Sequence, residues 1–230
     1  MTSDVMEDYL KTIYSLQQDV GAPVRTSTIA EHLDVTPPTV SSMLSSLEER
    51  ELIVREKYAG AELTDAGERK ALEILRHHRL IESFLTEYLD YEWSEVHDEA
   101  DVLEHHISES FERRVAEALD NPTVDPHGDP IPDAELSKPV TVDTDPLADH
   151  DAGETVVIAR VRDRDVDELE YLADVGIVPG TTVTVIDVAP IGLYSLVHEE
   201  GRVQLPASIA EATHVFSEAS VEPSEEVTRT

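Results

Sequence analysis

The amino-terminal third of the chain carries apolar residues at helical spacing, interrupted by short breaks. A first run predicts a helix over residues 4–18. A short second helix begins at Thr26, which is a good N-cap, and a third follows Thr36, with two prolines in its first turn. Residues 52–56 and 61–64 then show the pattern of two short strands joined by a tight turn.

Helix, short helix, tight turn, helix and β-hairpin is the element order of a winged helix-turn-helix. The pattern therefore predicts a winged helix-turn-helix DNA-binding domain over residues 1–66. Two longer helical patterns follow, one capped by Asp65 and running to about residue 89, the other running over about 94–119. Such an antiparallel pair beyond a winged helix is typical of a dimer interface; the alternative is that it closes the core of one subunit.

The sequence pattern changes twice in the remaining part of the chain. Residues 121–150 hold six prolines and many aspartates, which predicts an extended linker. From residue 151 the apolar period becomes two, with glycines between the runs, which predicts a small β-barrel over residues 151–217. Residues 218–230 are predicted to be a flexible tail. The expected fold class is therefore mixed and mainly α.

Charge and composition narrow the class of protein. Lys and Arg number 17 against 50 Asp and Glu, for a formal charge of −33 that is spread along the whole chain. This suits a protein that works in concentrated salt, where the Debye length is about 3 Å at 1 M, and alone it argues against a nucleic-acid partner. The absence of cysteine excludes disulfides and thiolate metal sites. With no membrane-spanning run and no signal-peptide pattern, we expect a soluble cytoplasmic protein without a membrane partner.

A metal-ligating pattern lies on the two long helices. Five of the ten histidines fall within residues 77–106. Carboxylates at helical spacing are expected by chance in so acidic a chain, but this concentration of histidines is not, and side chains four residues apart can converge on one ion. A nitrogen and oxygen ligand set suits Mn(II), Fe(II), Co(II), Ni(II) or Zn(II). The residues are His97, Asp101, Glu104 and His105 on the second helix, and His78 and Glu82 on the first.

Short motifs occur in one consistent order over about residues 4–132. They are MEDYLKTIY (6–14), IAEHL (29–33), PTVS (38–41), LTDAG (63–67), HRL (78–80), HDEA (97–100), EHH (104–106) and PHGDPIP (126–132). In these motifs the chain resembles the diphtheria-toxin-repressor family of metal-dependent transcription factors, including its manganese-sensing branch. Residues 151–217 are similar to the family's SH3-like, FeoA-type domain. The resemblance implies a helical metal-binding and dimerisation domain at residues 67–120.

The resemblance also implies two metal sites. The primary site is carried by position onto Asp8, Asp101, Glu104 and His105. The ancillary site falls on His78, Glu82 and His97, with Asp165 and Glu168 from the barrel. In the manganese branch His78 would also be a ligand of a two-metal cluster.

Two positions depart from the family pattern. Asp8 stands where the iron branch has methionine, which favours manganese, and Lys11 stands where the manganese branch has a second carboxylate, which disfavours two adjacent ions. The implied cofactor is therefore Mn(II) or Fe(II), with other divalent transition metals able to substitute.

The resemblance implies a metal-activated repressor of metal-homeostasis genes. An ion joining Asp8 to the predicted dimer helix would orient the recognition helix, and a homodimer would bind a pseudo-palindromic operator in double-stranded DNA. The alternatives are a metal-independent winged-helix protein, or a metallohydrolase, which is disfavoured because no HExxH or GxSxG motif occurs; we expect no enzyme activity. The predicted DNA contacts are Arg25, Thr26, Ser27, Thr36, Pro38, Thr39, Ser41, Ser42, Lys57 and Tyr58.

Overall fold

A computed structural model describes residues 2–56, 59–139, 143–162 and 166–217. The chain forms two compact units. The first comprises Met1–Ile81, Ala100–Thr123 and Ile131–Pro139, and the second comprises Glu82–Glu99, Val124–Pro130 and Val140–Thr230.

Three predicted site residues, Lys57, Tyr58 and Asp165, lie outside the described residues, as does the predicted tail 218–230. Within the described part of the chain, no helix is both long and apolar enough to cross a bilayer.

The first unit opens with three helices and a hairpin. These are α1 (Asp4–Val20), α2 (Thr26–His32), α3 (Pro37–Glu49), β1 (Ile53–Glu56) and β2 (Gly60–Leu63). The strands pair antiparallel, with Ile53 opposite Leu63 and Glu56 opposite Gly60. The helices bury their apolar faces with the hairpin in one core, whose members include Leu10, Ile13, Ile29, Val40, Leu44 and Leu47. The predicted winged helix-turn-helix is confirmed.

Two predicted N-caps are displaced by one residue. Arg25 is the N-cap of α2, and Thr26 is its first helical residue. Likewise α4 (Asp65–Leu89) starts at Asp65, and the preceding Thr64 accepts a hydrogen bond from the backbone N–H of Gly67 through its Oγ1 at 3.1 Å. Asp65 lies in the first turn of α4, where a carboxylate faces the positive end of the helix dipole.

The predicted helix over 94–119 is wrong, because the chain breaks it into two. Helix α5 spans Val96–Leu103 and α6 spans Glu109–Ala118. Ser108 is the N-cap of α6, and its Oγ accepts the N–H of Phe111 at 3.3 Å. A serine can cap the start of a new helix, and it can also lie inside a continuous helix. The apolar spacing alone does not distinguish these two cases.

The predicted extended linker is wrong over residues 123–131. Asp125 and His127 are buried, and the Asp125 carboxylate accepts the backbone N–H groups of His127 and Asp129, both at 2.9 Å. An aspartate side chain that accepts hydrogen bonds from the following N–H groups, together with prolines of fixed φ, forms a compact turn. Because linkers are also rich in aspartate and proline, the composition alone does not distinguish the two.

The second unit contains a small antiparallel sheet. Its strands are β3 (Asp145–Pro146), β4 (Thr155–Val161), β5 (Thr182–Ala189), β6 (Leu193–His198), β7 (Gly201–Pro206) and β8 (Thr213–Ser217). They lie in the order β3-β8-β4-β5-β6-β7, a 3-10 turn at Leu147–Asp149 follows β3, and helices α7 (Val166–Asp174) and α8 (Ala207–Ala212) connect strands. Ile158, Leu169 and Leu196 are among the buried residues of its core. The predicted small β-domain is confirmed.

We predict that Gly60→Ala destabilises the first unit by more than about 1 kcal/mol. Gly60 has φ 143°, and a Cβ there would overlap the carbonyl oxygen of Val24, whose backbone pairs with Ala61. The measurement is urea unfolding in 2 M KCl.

Gly21→Ala is the control, because Gly21 also has positive φ (82°) but no atom lies within 4 Å of a Cβ there. Equal losses of stability in both variants would contradict a role for the close approach at Gly60.

Candidate metal centre

Three predicted primary ligands meet in the first unit. Asp8 lies on α1, and Glu104 and His105 lie in the turn that follows α5. One ligand atom from each lies within 4.8 Å of the others, and His105 Nε2 is 2.9 Å from Asp8 Oδ1 and 3.5 Å from Glu104 Oε1. The end of α5 thus releases Glu104 and His105 from the helical face predicted for them and lets them point at α1.

Glu7, which the sequence analysis missed, orients His105. Its Oε2 lies 2.8 Å from His105 Nδ1, so this nitrogen donates to the carboxylate and the ring is oriented with Nε2 towards Asp8 and Glu104. The other oxygen of Glu7 accepts from the Thr2 hydroxyl at 2.7 Å and lies 3.1 Å from Lys70 Nζ. Glu7 is the residue directly before Asp8, and its position on the buried side of α1 was the available signal.

Lys11 supplies a fixed positive charge inside the same cluster. Its Nζ lies 2.8 Å from Asp101 Oδ1 and 2.7 Å from Glu104 Oε1. His78 Nδ1 lies 2.6 Å from Glu104 Oε2 and 3.3 Å from Asp101 Oδ1. Asp101, the fourth predicted primary ligand, is therefore brought to the cluster through Lys11 and His78. His78, predicted at the ancillary site, contacts primary-site residues.

Nearby charges shift the pKa values of His105 and Lys11 in this cluster. Burial lowers the pKa of His105, but the hydrogen bond to Glu7 and the nearby charge of Glu104 outweigh it and leave the pKa above its usual value. Burial also lowers the pKa of Lys11, and the carboxylates of Glu104 and Asp101 more than reverse this. In both groups the carboxylates that they contact favour the cationic form.

A second cluster forms in the second unit around Glu82 of α4. Ligand atoms of Glu82, Asp125 and His127 lie within 4.8 Å of one another, and all three side chains are buried. His127 Nε2 lies 3.0 Å from the carbonyl oxygen of Trp93 and donates to it. In the neutral ring with this tautomer, His127 Nδ1 carries the lone pair; it lies 3.7 Å from Glu82 Oε1 and has no hydrogen-bond partner.

The chemistry of these donors fits a divalent cation. A buried imidazole lone pair facing two carboxylates is an arrangement that a cation stabilises and that neutral surroundings do not. Both clusters offer nitrogen and oxygen donors without sulfur, which suits Mn(II) and Fe(II).

The ancillary site is only partly as predicted. His97 does join Glu82, with Nδ1 at 3.2 Å from Glu82 Oε1. Glu168 lies on α7, and no group of three ligand atoms among the described residues includes it. Asp125 and His127, which the sequence analysis did not name as ligands, join Glu82. The sequence signal was a histidine and an aspartate one residue either side of Pro126, but it fell in the segment predicted to be a linker.

The predicted DNA contacts that fall in the described part of the chain lie on the winged helix. Arg25, Thr26 and Ser27 line a cavity of about 590 Å³ together with residues of α3 and the hairpin. On α3 the small polar residues stand near its exposed amino-terminal end, where Thr36 Oγ1 and Thr39 Oγ1 share a hydrogen bond of 2.9 Å. Pro38, Thr39 and Ser42 are exposed, and Ser41 is half-buried.

Comparison with protein families covers most of the chain. Residues 1–61 match the model described as "Iron dependent repressor, N-terminal DNA binding domain". Residues 64–133 match "Iron dependent repressor, metal binding and dimerisation domain", and residues 146–215 match the "FeoA domain". The chain is also 36% identical over 234 residues to the iron-dependent repressor IdeR of Mycobacterium tuberculosis, covering 92% of this chain and 96% of that protein. The chain belongs to the iron-dependent repressor family.

Two further relatives support membership of the iron-dependent repressor family. The diphtheria toxin repressor of Corynebacterium glutamicum is 32% identical, covering 92% of this chain and 96% of that protein. A solved manganese-dependent transcriptional repressor in complex with manganese superposes with a TM-score of 0.83 at 37% identity, covering 92% of this chain and 99% of that one. As a family member, the chain is a metal-dependent DNA-binding transcriptional regulator, and the predicted family and function are confirmed.

We predict that Glu7→Ala weakens Mn(II) binding at the first cluster by about 10- to 100-fold, because it removes the acceptor that orients His105. Isothermal titration of the metal-free protein in 2 M KCl measures the affinity.

Glu73→Ala is the matched control: Glu73 is the other carboxylate on Lys70, at 3.1 Å, and it does not contact His105. A loss of the same size in both variants would show that Lys70 pairing, and not the orientation of His105, sets the affinity.

Proposed function

We propose that this chain is a cytoplasmic repressor of metal-ion homeostasis genes, which binds operator DNA as a homodimer when Mn(II) or Fe(II) is bound. The observation that carries the proposal is the convergence of Asp8 from α1 with Glu104 and His105 from the turn after α5. A bound ion supplies a positive charge that all three donors share. Asp8, an oxygen donor, favours manganese over iron.

The position of α1 links this cluster to DNA binding. Leu10 and Ile13 of α1 share the core with Leu44 and Leu47 of the recognition helix α3. Holding Asp8 against Glu104 and His105 therefore holds α1, and α1 positions α3 through the packed core. Coupling free energies between two such sites are typically about 1–3 kcal/mol.

Lys11 supports one ion at the first cluster. Its ammonium lies between Asp101 and Glu104, where a second dication would meet a like charge within hydrogen-bonding distance. We assign one ion to Asp8, Glu104 and His105. Asp101 and His78 lie beside these three residues and are not assigned as ligands.

The second cluster supports a second ion per chain. Glu82, Asp125 and His127 provide its donors and His97 adjoins them, and the lone pair of His127 Nδ1 is the feature that favours a cation there. Its residues lie within the second unit, so we expect it to stabilise that unit more than it controls DNA binding.

The operator is expected to be a pseudo-palindrome contacted by two copies of the winged helix. Small hydroxyls and a proline at the start of α3 provide few bidentate contacts to bases, so phosphate contacts, thymine-methyl packing and DNA shape carry much of the specificity. The contacts proposed among the described residues are Arg25, Thr26, Ser27, Thr36, Pro38, Thr39, Ser41 and Ser42.

Asp8→Ala and His105→Ala are each expected to abolish Mn(II)-dependent DNA binding, because each removes a donor that joins α1 to the turn after α5. His127→Ala is expected to weaken it by no more than about 10-fold while removing one Mn(II) per chain. Fluorescence anisotropy of a DNA duplex selected from random sequence in 2 M KCl and MnCl₂ measures binding.

His150→Ala serves as control, since His150 contacts Glu154 and neither cluster. Tight DNA binding by metal-stripped wild-type protein, or by Asp8→Ala, would overturn the proposed function.

Lys11→Met, made in a His127→Ala background, is expected to raise the Mn(II) count from one to two per chain, because it uncovers Asp101 and Glu104 without adding a charge. Native mass spectrometry measures the count. Lys138→Met is the control, because Lys138 pairs with Glu68 on the surface. A count that stays at one in the Lys11 variant would mean that the lysine does not limit occupancy.

A further inference from the structure

The outer edge of the β-hairpin is tied to α1 and to the segment that follows it. Residues two apart in a strand point their N–H groups to the same edge, and on β2 these residues are Ala61 and Leu63. The Ala61 N–H donates to the Val24 carbonyl at 2.9 Å, and the Val24 N–H donates to the Ala61 carbonyl at 2.8 Å. The Leu63 N–H donates to Gln17 Oε1 at 3.0 Å. Leu63 therefore takes its hydrogen-bond partner from a side chain of α1.

The other strand of the hairpin is tied to the recognition helix α3. Arg55 of β1 donates from its guanidinium to Ser45 Oγ at 2.9 Å. The Ser45 hydroxyl in turn donates to the carbonyl oxygen of Ser41, one of the proposed DNA contacts, at 3.0 Å. Side chains thus connect the hairpin to both α1 and α3, so the position of the hairpin beside the recognition helix depends on where α1 lies.

Gln17 and the metal cluster lie on the same helix. Asp8 and Gln17 are nine residues apart on α1, which is about 13 Å along the helix axis. Leu10 and Ile13, which lie between them, are fully buried in the core of the winged helix. Since a continuous packed helix moves as one body, a constraint on Asp8 at one end of α1 also constrains Gln17 near the other end.

We propose that Gln17 is a positioning residue, which carries the metal-dependent placement of α1 to the hairpin and so aligns the hairpin with the DNA backbone. This inference rests on the proposed function, which supplies the ion at Asp8 and the DNA. It adds a polar connection to the apolar one that α1 and α3 share in the core. Gln17 acts through the Leu63 N–H and is not assigned as a ligand of the ion.

The hydrogen bond to Leu63 is strong enough to affect this coupling. A neutral hydrogen bond of this kind changes an equilibrium by about 3- to 10-fold, and a partly buried N–H left without its acceptor is unfavourable. The two bonds between Val24 and Ala61 do not involve the Gln17 side chain. Replacement of Gln17 is therefore expected to leave the hairpin folded while it releases the hairpin from the body of α1.

Hydrogen–deuterium exchange of the wild-type protein in 2 M KCl tests this connection without DNA and without a substitution. We expect Mn(II) to slow exchange of the Leu63 N–H by about threefold or more beyond its effect on the Thr64 N–H. The Thr64 N–H is the internal control, because it donates to the Leu52 carbonyl at 3.0 Å and a general stabilisation by the ion slows both amides. Mass spectrometry of overlapping peptides separates the two amides. An equal effect of Mn(II) on both would overturn the inference.

Gln17→Met removes the acceptor and nearly keeps the length of the side chain. We expect the gain in DNA affinity on adding Mn(II), measured by anisotropy of the selected duplex, to be about 3- to 10-fold smaller than in the wild type. The Mn(II) affinity of the free protein, measured by isothermal titration, should stay within about twofold, and DNA should raise it by the same reduced factor, because coupling is reciprocal. A merely structural role would weaken DNA binding equally with and without Mn(II), and an unchanged gain would contradict the inference.

Two matched variants identify the acceptor oxygen as the cause. Gln17→Glu retains an oxygen that can accept from the Leu63 N–H, and its gain should stay within about twofold of the wild-type gain. Gln18→Met makes the same replacement at the next residue, which is exposed, and should also keep the gain. If either variant loses as much of the gain as Gln17→Met does, the hydrogen bond to Leu63 is not the connection.

The outcomes also separate this inference from the proposed function. Absence of Mn(II)-dependent DNA binding in the wild type would overturn the proposed function and this inference with it. Mn(II)-dependent DNA binding without a specific effect of Mn(II) on the Leu63 N–H would leave the proposed function standing and overturn the inference alone.

Discussion

The fully buried carboxylate of Glu104 is the constraint around which the first unit is built. A carboxylate removed from water is stable only with positive charge or hydrogen-bond donors at its oxygens. Lys11 reaches it from α1 and His78 reaches it from α4, while the ring of His77 contacts its backbone carbonyl at 3.1 Å. One residue in a turn therefore holds together elements that are far apart in the sequence.

The same arrangement explains how the regulator can respond to a metal. Lys11 and the rings of His78 and His105 contact the carboxylates of Glu104 and Asp8, so protein groups already occupy these oxygen atoms. A divalent ion would compete for the same oxygen atoms and would bind His105 through Nε2 once this nitrogen had released its proton, in a ring that Glu7 has oriented. Because α1 contributes both to this cluster and to the core that it shares with α3, packed side chains would link occupancy of the cluster to the geometry of the DNA-binding surface.

The acidity of the chain affects the two functions differently. In the two candidate metal clusters, the carboxylates would serve as ligands, so their charge would favour binding of a cation. On the winged helix, Glu48 and Glu56 share a cavity with the proposed phosphate contacts, and their charge opposes DNA. Concentrated salt reconciles the two, because it leaves short-range coordination intact while it shortens the range of repulsion to about 3 Å at 1 M.

The sequence by itself determined the winged helix, the small β-domain, the family and several residues that converge in the two candidate metal clusters, because apolar periodicity and short motifs are local properties of the chain. It misplaced the caps of α2 and α4, the break before Ser108 and the buried turn at Asp125, since hydroxyls, carboxylates and prolines make similar patterns in helices, linkers and turns. Only the tertiary structure decided that Lys11 lies between Asp101 and Glu104, and that Asp125 and His127 join Glu82. These contacts join residues up to 93 positions apart, and no local pattern records which distant charges a fold will bring together.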